Sequence, residues 1–355
     1  MAQLTGAENH VCDVSIGRNV GALASSLPPL DLQTLRVYAR FMPELPDLTV
    51  YLEALQSRIV GRRLDRVRVV SPSLLRTVNP PLTEASEKIV REMRRIGKQL
   101  VFVLENDLFL VVHLMIAGRF QWRPLAVKTP GRIGLAAFDF AHGTLVLTEA
   151  GTKKRASLHV VRGEDELRRF DAGGIDPLTV DLASFQAVLA RENHTLKRSL
   201  TDPRLFSGIG NAYSDEILHR ARLSPILLTT KLTQNEITRL HEATHTVLSE
   251  WIDRLRAETG QGFPERVTAF RKDMAVHGRY REPCPVCATP IQRIVYSQNE
   301  ANYCPTCQTG GKLLADRALS RLLKSDWPKS VEEMAELRNR QTSDGTRTIK
   351  DRLRL

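Results

Sequence analysis

Cys284-Pro-Val-Cys287 and, sixteen residues later, Cys304-Pro-Thr-Cys307 decide how this chain is read. Two C-x2-C knuckles at this spacing predict a zinc site of four thiolates. The intervening segment suits a β-hairpin. Ile291, Ile294 and Val295 have strand character, and Ser297-Gln298-Asn299-Glu300-Ala301-Asn302 supplies the turn. Two disulfides are the alternative. Four of the five cysteines fall in the knuckles, and no secretory segment precedes them, which favours metal. Such a site is structural, because no ligand position is left for a substrate. The predicted cofactor is therefore one structural Zn2+ on Cys284, Cys287, Cys304 and Cys307.

The 355 residues suffice for two or three domains, and 42% hydrophobic composition supports real cores. No apolar run approaches the roughly 18 residues that span a bilayer. Thiols kept for metal predict a reducing compartment, the cytoplasm or nucleoid. Net charge is +11. Residues 1–42 hold three basic residues (Arg18, Arg36, Arg40) and three acidic ones (Glu8, Asp13, Asp31), so the excess belongs to the rest. A basic body beside a zinc finger points to nucleic acid, through phosphate neutralisation.

Residues 1–42 show little periodicity and read as a weakly structured leader or a mis-assigned start. Pro46 and Asp47 suit the first turn of a helix, whose stripe is Leu48, Tyr51, Leu52, Leu55 and Ile59, with Gly61 as the stop. Strands follow at Val67–Val69, Leu100–Leu104, Leu108–Val112, Thr144–Leu147 and Leu158–Val161, a pattern that suggests a β-sandwich. Gly173-Gly174-Ile175-Asp176-Pro177 is a linker. Helices are expected at Phe185–Arg191, Leu196–Leu200, Ala212–Arg220 and Gln234–Leu255. After the finger, Leu313, Leu314, Ala318, Leu319, Leu322 and Leu323 predict a helical tail, with a disordered end beyond Arg338. The expected architecture is multi-domain α+β, divided at 43–172, 180–270, 278–310 and 311–355.

Gly208-Ile209-Gly210-Asn211-Ala212-Tyr213-Ser214-Asp215-Glu216 opens a helix with a Gly-x-Gly turn. Its N–H groups can hold a phosphate, and Asn211 can donate to a second phosphate oxygen. Together with the finger, with Met42-Pro43-Glu44-Leu45-Pro46-Asp47 and with Arg94-Arg95-Ile96-Gly97-Lys98, this block resembles the formamidopyrimidine-DNA glycosylase and endonuclease VIII family of base-excision repair. The four blocks stand in the family's order over about residues 42–307. The resemblance implies a β-sandwich, a helix-two-turn-helix module and a zinc finger, with damaged double-stranded DNA in the cleft and a monomeric enzyme.

The resemblance also implies roles. The family removes its initiator Met, so the proline amine becomes the nucleophile. It attacks C1′, expels the base and leaves an iminium, from which the 3′ phosphate is eliminated. Pro43 takes that position and Glu44 that of the proton-transfer group. Lys98 matches a hairpin lysine near the lesion. His113, Lys197, Gly210 and Asn211 match phosphate contacts; a buried strand-end histidine and a surface lysine are the plain alternatives for His113 and Lys197. The wedge that fills the gap left by the extruded base maps to Ile116 with Met115, and to Lys153 and Arg155.

This chain departs from the family in four places. Pro43 is preceded by 42 residues, and a peptide-bonded proline nitrogen is not nucleophilic. Either translation starts at Met42, or the leader is removed, or no Schiff base forms. The finger-tip arginine is replaced by Asn299. Arg155 stands where a phenylalanine wedge is expected. The stretch from Gly260 to Pro283 lacks the long Gly-rich loop that caps 8-oxoguanine in the purine-specific branch. The reading is a bifunctional DNA glycosylase/AP lyase acting on oxidised or ring-opened bases. A non-catalytic damaged-DNA or abasic-site binding protein is the alternative. A generic zinc-ribbon factor would not explain Met42–Asp47 or Lys98.

Overall fold

In the computed structural model, the described residues run from 42 to 336, apart from 126, 152, 266–270, 297–298 and 316–327. Helix α1 (Leu45–Ile59) opens with a capping box: the Glu44 N–H donates to Asp47 Oδ2 at 3.0 Å. Eight antiparallel strands follow: β1 (Arg63–Val69), β2 (Lys88–Ile96), β3 (Gln99–Leu104), β4 (Leu108–His113), β5 (Gly118–Arg123), β6 (Gly134–Phe140), β7 (Gly143–Glu149) and β8 (Ser157–Arg162). Their order is β5-β7-β6-β1-β2-β3-β4-β8. β1 and β2 share only the pairs Arg63↔Ile89 and Leu64↔Lys88, so the sheet folds over at this junction. Phe102 of β3 then stacks on Phe138 of β6 at 5.3 Å, closing a sandwich. β3 and β4 read as unbroken apolar runs because both faces are covered. A second cluster, with Val101, Val103, Phe109 and Val111, packs under Leu167 of α2 (Glu164–Arg168).

Strands β5 and β6 were not legible as strands. β5, GRFQWR, is mostly polar, and β6, GLAAFDF, is rich in Gly and Ala, which have low strand propensity. Both form because Phe120, Leu135, Phe138 and Phe140 enter the sandwich core.

The helical half comprises α3 (Leu182–Ala190), α4 (Leu196–Thr201), α5 (Asn211–Arg220) and the long α6 (Gln234–Thr259). Phe185, Phe206, Tyr213, Leu240 and Leu248 fill its core, and Leu45 of α1 plugs into the same cluster. The Leu45 N–H also donates to the Gly208 carbonyl at 2.9 Å. The Met42–Asp47 block is therefore the hinge pin between sandwich and helices.

The finger hairpin pairs β9 (Gln292–Tyr296) with β10 (Asn299–Tyr303), followed by α7 (Pro305–Thr309). The expected turn is thus shorter than the sequence suggested. Asn299–Asn302 is strand although all four residues are poor strand formers, because Ala301 and Tyr303 are buried and the ladder to β9 is continuous. The expected tail helix does not include Leu313 and Leu314, while residues 331–336 are helical. Gly310 and Gly311 adopt positive φ, and Leu313 and Leu314 lie outside any helix, with the Leu313 N–H on the Lys329 carbonyl at 2.9 Å. Ala318, Leu319, Leu322, Leu323, the leader and everything beyond residue 336 lie outside the described residues. Among the described residues no helix is long and apolar enough to cross a membrane.

Candidate functional site

The site assembles where α1, the β2–β3 hairpin and α5 converge. Glu44 is 3% exposed. Its carboxylate accepts the N–H groups of Gly210 (2.7 Å), Ala212 (2.9 Å) and Tyr213 (3.1 Å). The positive end of α5 therefore carries the chain's own carboxylate. This revises the picture of an open phosphate cradle at the Gly-x-Gly turn, since three of its N–H donors are already used. Pro43 is buried next to Glu44.

Lys98 occupies the two-residue turn between β2 and β3, where Gly97 takes φ +58°. A Cβ on Gly210 would lie 2.6 Å from Lys98 Nζ and 2.4 Å from Glu44 Cδ. Gly210 is thus required by close approach: the lysine and the carboxylate meet over its bare Cα. Burial lowers the Lys98 pKa, Glu44 raises it and Lys197 lowers it again. Arg95 locks the hairpin in place, donating to Ser207 Oγ at 3.1 Å and to Asp176 Oδ2 at 2.6 Å.

His113 ends β4 opposite Gln99, one residue from Lys98. Its Nδ1 accepts the Met115 N–H at 2.9 Å, which leaves Nε2 to carry the proton. Burial, with Lys98 and His159 adding to it, lowers the ring's pKa to about 4. His113 is therefore neutral at physiological pH and offers one N–H donor. Met115 and Ile116 form the turn after β4, half-buried, with Met115 at φ +53°. Gly118 closes that turn; a Cβ there would strike the Leu114 carbonyl at 2.1 Å.

Lys153 and Arg155 are exposed in the β7–β8 loop. The buried Glu149 anchors this loop by accepting the N–H groups of Arg155 (2.9 Å) and Ala156 (3.2 Å). Asn299 starts β10 opposite Tyr296, flanking the hairpin tip; its side chain lies outside the described residues.

Lys197 is not a surface charge. It is 6% exposed, and its Nζ donates to Asp215 Oδ1 at 2.6 Å and to the Asn211 carbonyl at 2.5 Å. Asp215 Oδ2 meets His277 Nδ1 at 2.8 Å and Asn302 Nδ2 at 3.2 Å. Burial opposes the Asp215 charge, but Lys197 and His277 outweigh it and hold the carboxyl below its ordinary range. One carboxylate thus joins α4, α5, the pre-finger turn and β10. Removing one partner of a buried ion pair costs about 3–5 kcal/mol. Asp215→Asn should lower the urea-unfolding free energy by a value in that range; a loss below about 1 kcal/mol would show that the network is not structural.

The four Sγ atoms of Cys284, Cys287, Cys304 and Cys307 lie within 4.8 Å of one another. Resolved separations are 3.9 Å (Cys284–Cys307), 3.4 Å (Cys287–Cys304) and 3.5 Å (Cys287–Cys307). A tetrahedron with Zn–S bonds of about 2.3 Å needs S···S edges of about 3.8 Å, so the donor set fits one structural zinc. The Val286 N–H on Cys284 Sγ (3.5 Å) and the Cys307 N–H on Cys304 Sγ (3.4 Å) suit thiolates. Buried His219 of α5 reaches Cys284 Sγ at 3.4 Å and ties the finger to the helical half.

Arg95, Glu149 and Asp215 were missed as site-forming residues. Arg95 and Asp215 lay inside quoted blocks, but a lone carboxylate or arginine carries no spacing signal.

Three family profiles match the chain in order. The formamidopyrimidine-DNA glycosylase N-terminal domain matches residues 42–162, the formamidopyrimidine-DNA glycosylase H2TH domain 174–261, and the zinc finger found in FPG and IleRS 281–310. The formamidopyrimidine-DNA glycosylase of Geobacillus kaustophilus is 32% identical over 280 residues, covering 75% of this chain and 100% of that one. That of Thermus thermophilus is 34% identical over 278 residues, covering 76% and 100%. Among solved structures, the Lactococcus lactis Fpg in complex with abasic-site DNA shares this fold. Its TM-score is 0.67 at 24% identity, over 75% of this chain and 99% of that one.

Proposed function

This chain belongs to the formamidopyrimidine-DNA glycosylase family, and from that membership we propose a bifunctional DNA glycosylase/AP lyase working on damaged double-stranded DNA as a monomer. The observation that carries the proposal is the convergence of Pro43, Glu44 and Lys98 at the N-terminus of α5. In the proposed reaction the Pro43 nitrogen, freed from its peptide bond, adds its lone pair to C1′. The N-glycosidic bond breaks and the damaged base leaves with a proton. Glu44 moves protons at the deoxyribose, and the sugar ring opens to an iminium. Loss of a C2′ proton then expels the 3′ phosphate, because the iminium accepts the electron pair. Lys98 and the neutral His113 hold the flanking phosphates, with Lys197 keeping Asn211 in register. Met115 or Ile116, Lys153 and Arg155 fill the stack.

The start at Pro43 is supported by two facts: the family profile begins at residue 42, and relatives are covered almost end to end by three-quarters of this chain. The test compares the chain that begins at Pro43 with the full chain, each on abasic duplex DNA. The shorter protein should nick the strand, and the acylated form should be at least about a hundredfold slower, since an amide nitrogen is not a nucleophile. Equal rates would remove Pro43 from the mechanism. The second reading, a damage-binding protein without chemistry, is favoured by one observation. In the chain as written, the Pro43 nitrogen is acylated by Met42.

A further inference from the structure

A cavity of about 340 Å³ lies between the N-terminal turn of α1, the C-terminal end of α6 and the segment that follows it. Its apolar lining is Val50, Leu255, Phe263 and Pro264. Four charged groups also line it: Glu258 and Glu265, which are paired with Arg271 and Arg123, and Asp47 and Arg271 themselves. Asp47 is 1% exposed, and its Oδ1 has no hydrogen-bond partner. Arg271 Nε is likewise buried without one. The two side chains approach each other only to 3.7 Å, from Arg271 Nη2 to Asp47 Oδ1, which is an ion-pair distance and not a hydrogen bond. Both are held from behind. Asp47 Oδ2 accepts the Glu44 N–H at 3.0 Å, and Arg271 Nη1 donates to Glu258 at 2.6 Å. Burial pushes the Asp47 carboxyl up to about 6, against the Glu44 N–H, Arg271 and Arg119. At pH 7.5 it is still an ionised acceptor.

An unsatisfied buried carboxylate oxygen and an unsatisfied buried N–H are each costly, by about 1–3 kcal/mol or more for charged groups. A ligand edge that offers one N–H beside one C=O satisfies both at once. The cavity begins one peptide unit from Pro43, since Asp47 Oδ2 holds the Glu44 amide. Its volume sits at the lower end of ligand pockets, roughly 300–1,000 Å³, as a single extruded base requires.

We propose that Asp47 and Arg271 read the extruded base, selecting lesions with a lactam edge (ring N–H next to C=O) over those with an amidine edge (ring N next to NH2). Asp47 accepts the ring N–H and Arg271 donates to the carbonyl. An amidine edge reverses both roles, setting an acceptor nitrogen against the carboxylate and an NH2 group against the guanidinium. A polar mismatch of this kind discriminates far better than a missing methylene does.

The inference rests on the glycosylase reading, and the test keeps the two apart. 5-Hydroxyuracil and 5-hydroxycytosine differ at this edge alone. Each is placed opposite guanine in the same duplex, and excision by the chain beginning at Pro43 is followed under single-turnover conditions. The expected rate ratio is at least tenfold in favour of 5-hydroxyuracil. Asp47→Asn offers both a donor and an acceptor, so the ratio, measured within the variant, should fall toward one. A ratio taken inside one protein is insensitive to a general loss of activity. Arg271→Gln is the second variant, for the case in which Asp47→Asn does not fold, and should move the ratio the same way. A wild-type ratio near one, or an unchanged ratio in a folded variant, overturns the assignment. Failure of the wild-type protein to nick abasic DNA, which carries no base to read, would instead overturn the glycosylase/lyase reading.

Discussion

Glu44→Gln, in the chain beginning at Pro43, is expected to lower base excision by about 10²–10⁴-fold, the range that a positioned proton-transfer group contributes. The geometry gives the substitution two consequences. Glutamine cannot take up and return a proton. It also turns an NH2 group toward backbone N–H groups that the carboxylate now satisfies, those of Gly210, Ala212 and Tyr213. The cap on α5 is thus weakened along with the chemistry. Loss of a helix cap typically costs about 1 kcal/mol, less than the catalytic loss by a wide margin. Binding to an uncleavable abasic analogue should therefore weaken by less than about tenfold. Single-turnover excision and fluorescence anisotropy on one preparation separate the two. Excision within tenfold of wild type would show that Glu44 is a helix cap and nothing more.

Cys284→Ser is expected to reduce zinc from one per chain to none and to take DNA affinity with it. Structural zinc contributes about 10–16 kcal/mol of apparent binding energy in finger peptides, and that energy is folding energy. The damage should not stay within the finger. Cys284 contacts His219 of α5, Gln308 Nε2 donates to the Leu223 carbonyl at 2.9 Å, and Asn302 reaches Asp215. The metal-free finger therefore loosens the carboxylate that holds Lys197 beside Asn211. Elemental analysis gives the metal count, and a salt titration of DNA binding should lose slope as basic contacts are released. Full affinity in a protein without zinc would contradict this coupling.

How much of this was legible in the sequence follows from the kind of signal each part carries. The knuckles were readable because four thiolates at fixed spacing have few other uses. Helix α6 was readable because its apolar period is long. Strands β5 and β6 were not, because Gly, Ala and polar residues become strand only when neighbouring strands supply the ladder and the core. Lys98 and Glu44 were placed by their blocks, yet their meeting over Gly210 is a tertiary fact. Lys197 matches a phosphate-contacting position or reads equally well as a surface charge, and its burial shows only once Asp215, His277 and Asn302 arrive from three other segments. Asp47 reads as a first-turn helix residue; the cavity above it comes from α6 and from Arg271, more than two hundred residues away.

The proposed chemistry requires a covalent bond from the Pro43 nitrogen to the sugar. Borohydride reduces an iminium to a stable amine, so the enzyme is incubated with abasic-site duplex and borohydride, digested, and the DNA-bearing peptide is sequenced by mass spectrometry. The expected result is a cross-link on a peptide whose N-terminal residue is Pro43, with no cross-link from protein that still carries Met42. A cross-link on Lys98 or another lysine, or strand nicking without any trapped species, would contradict it.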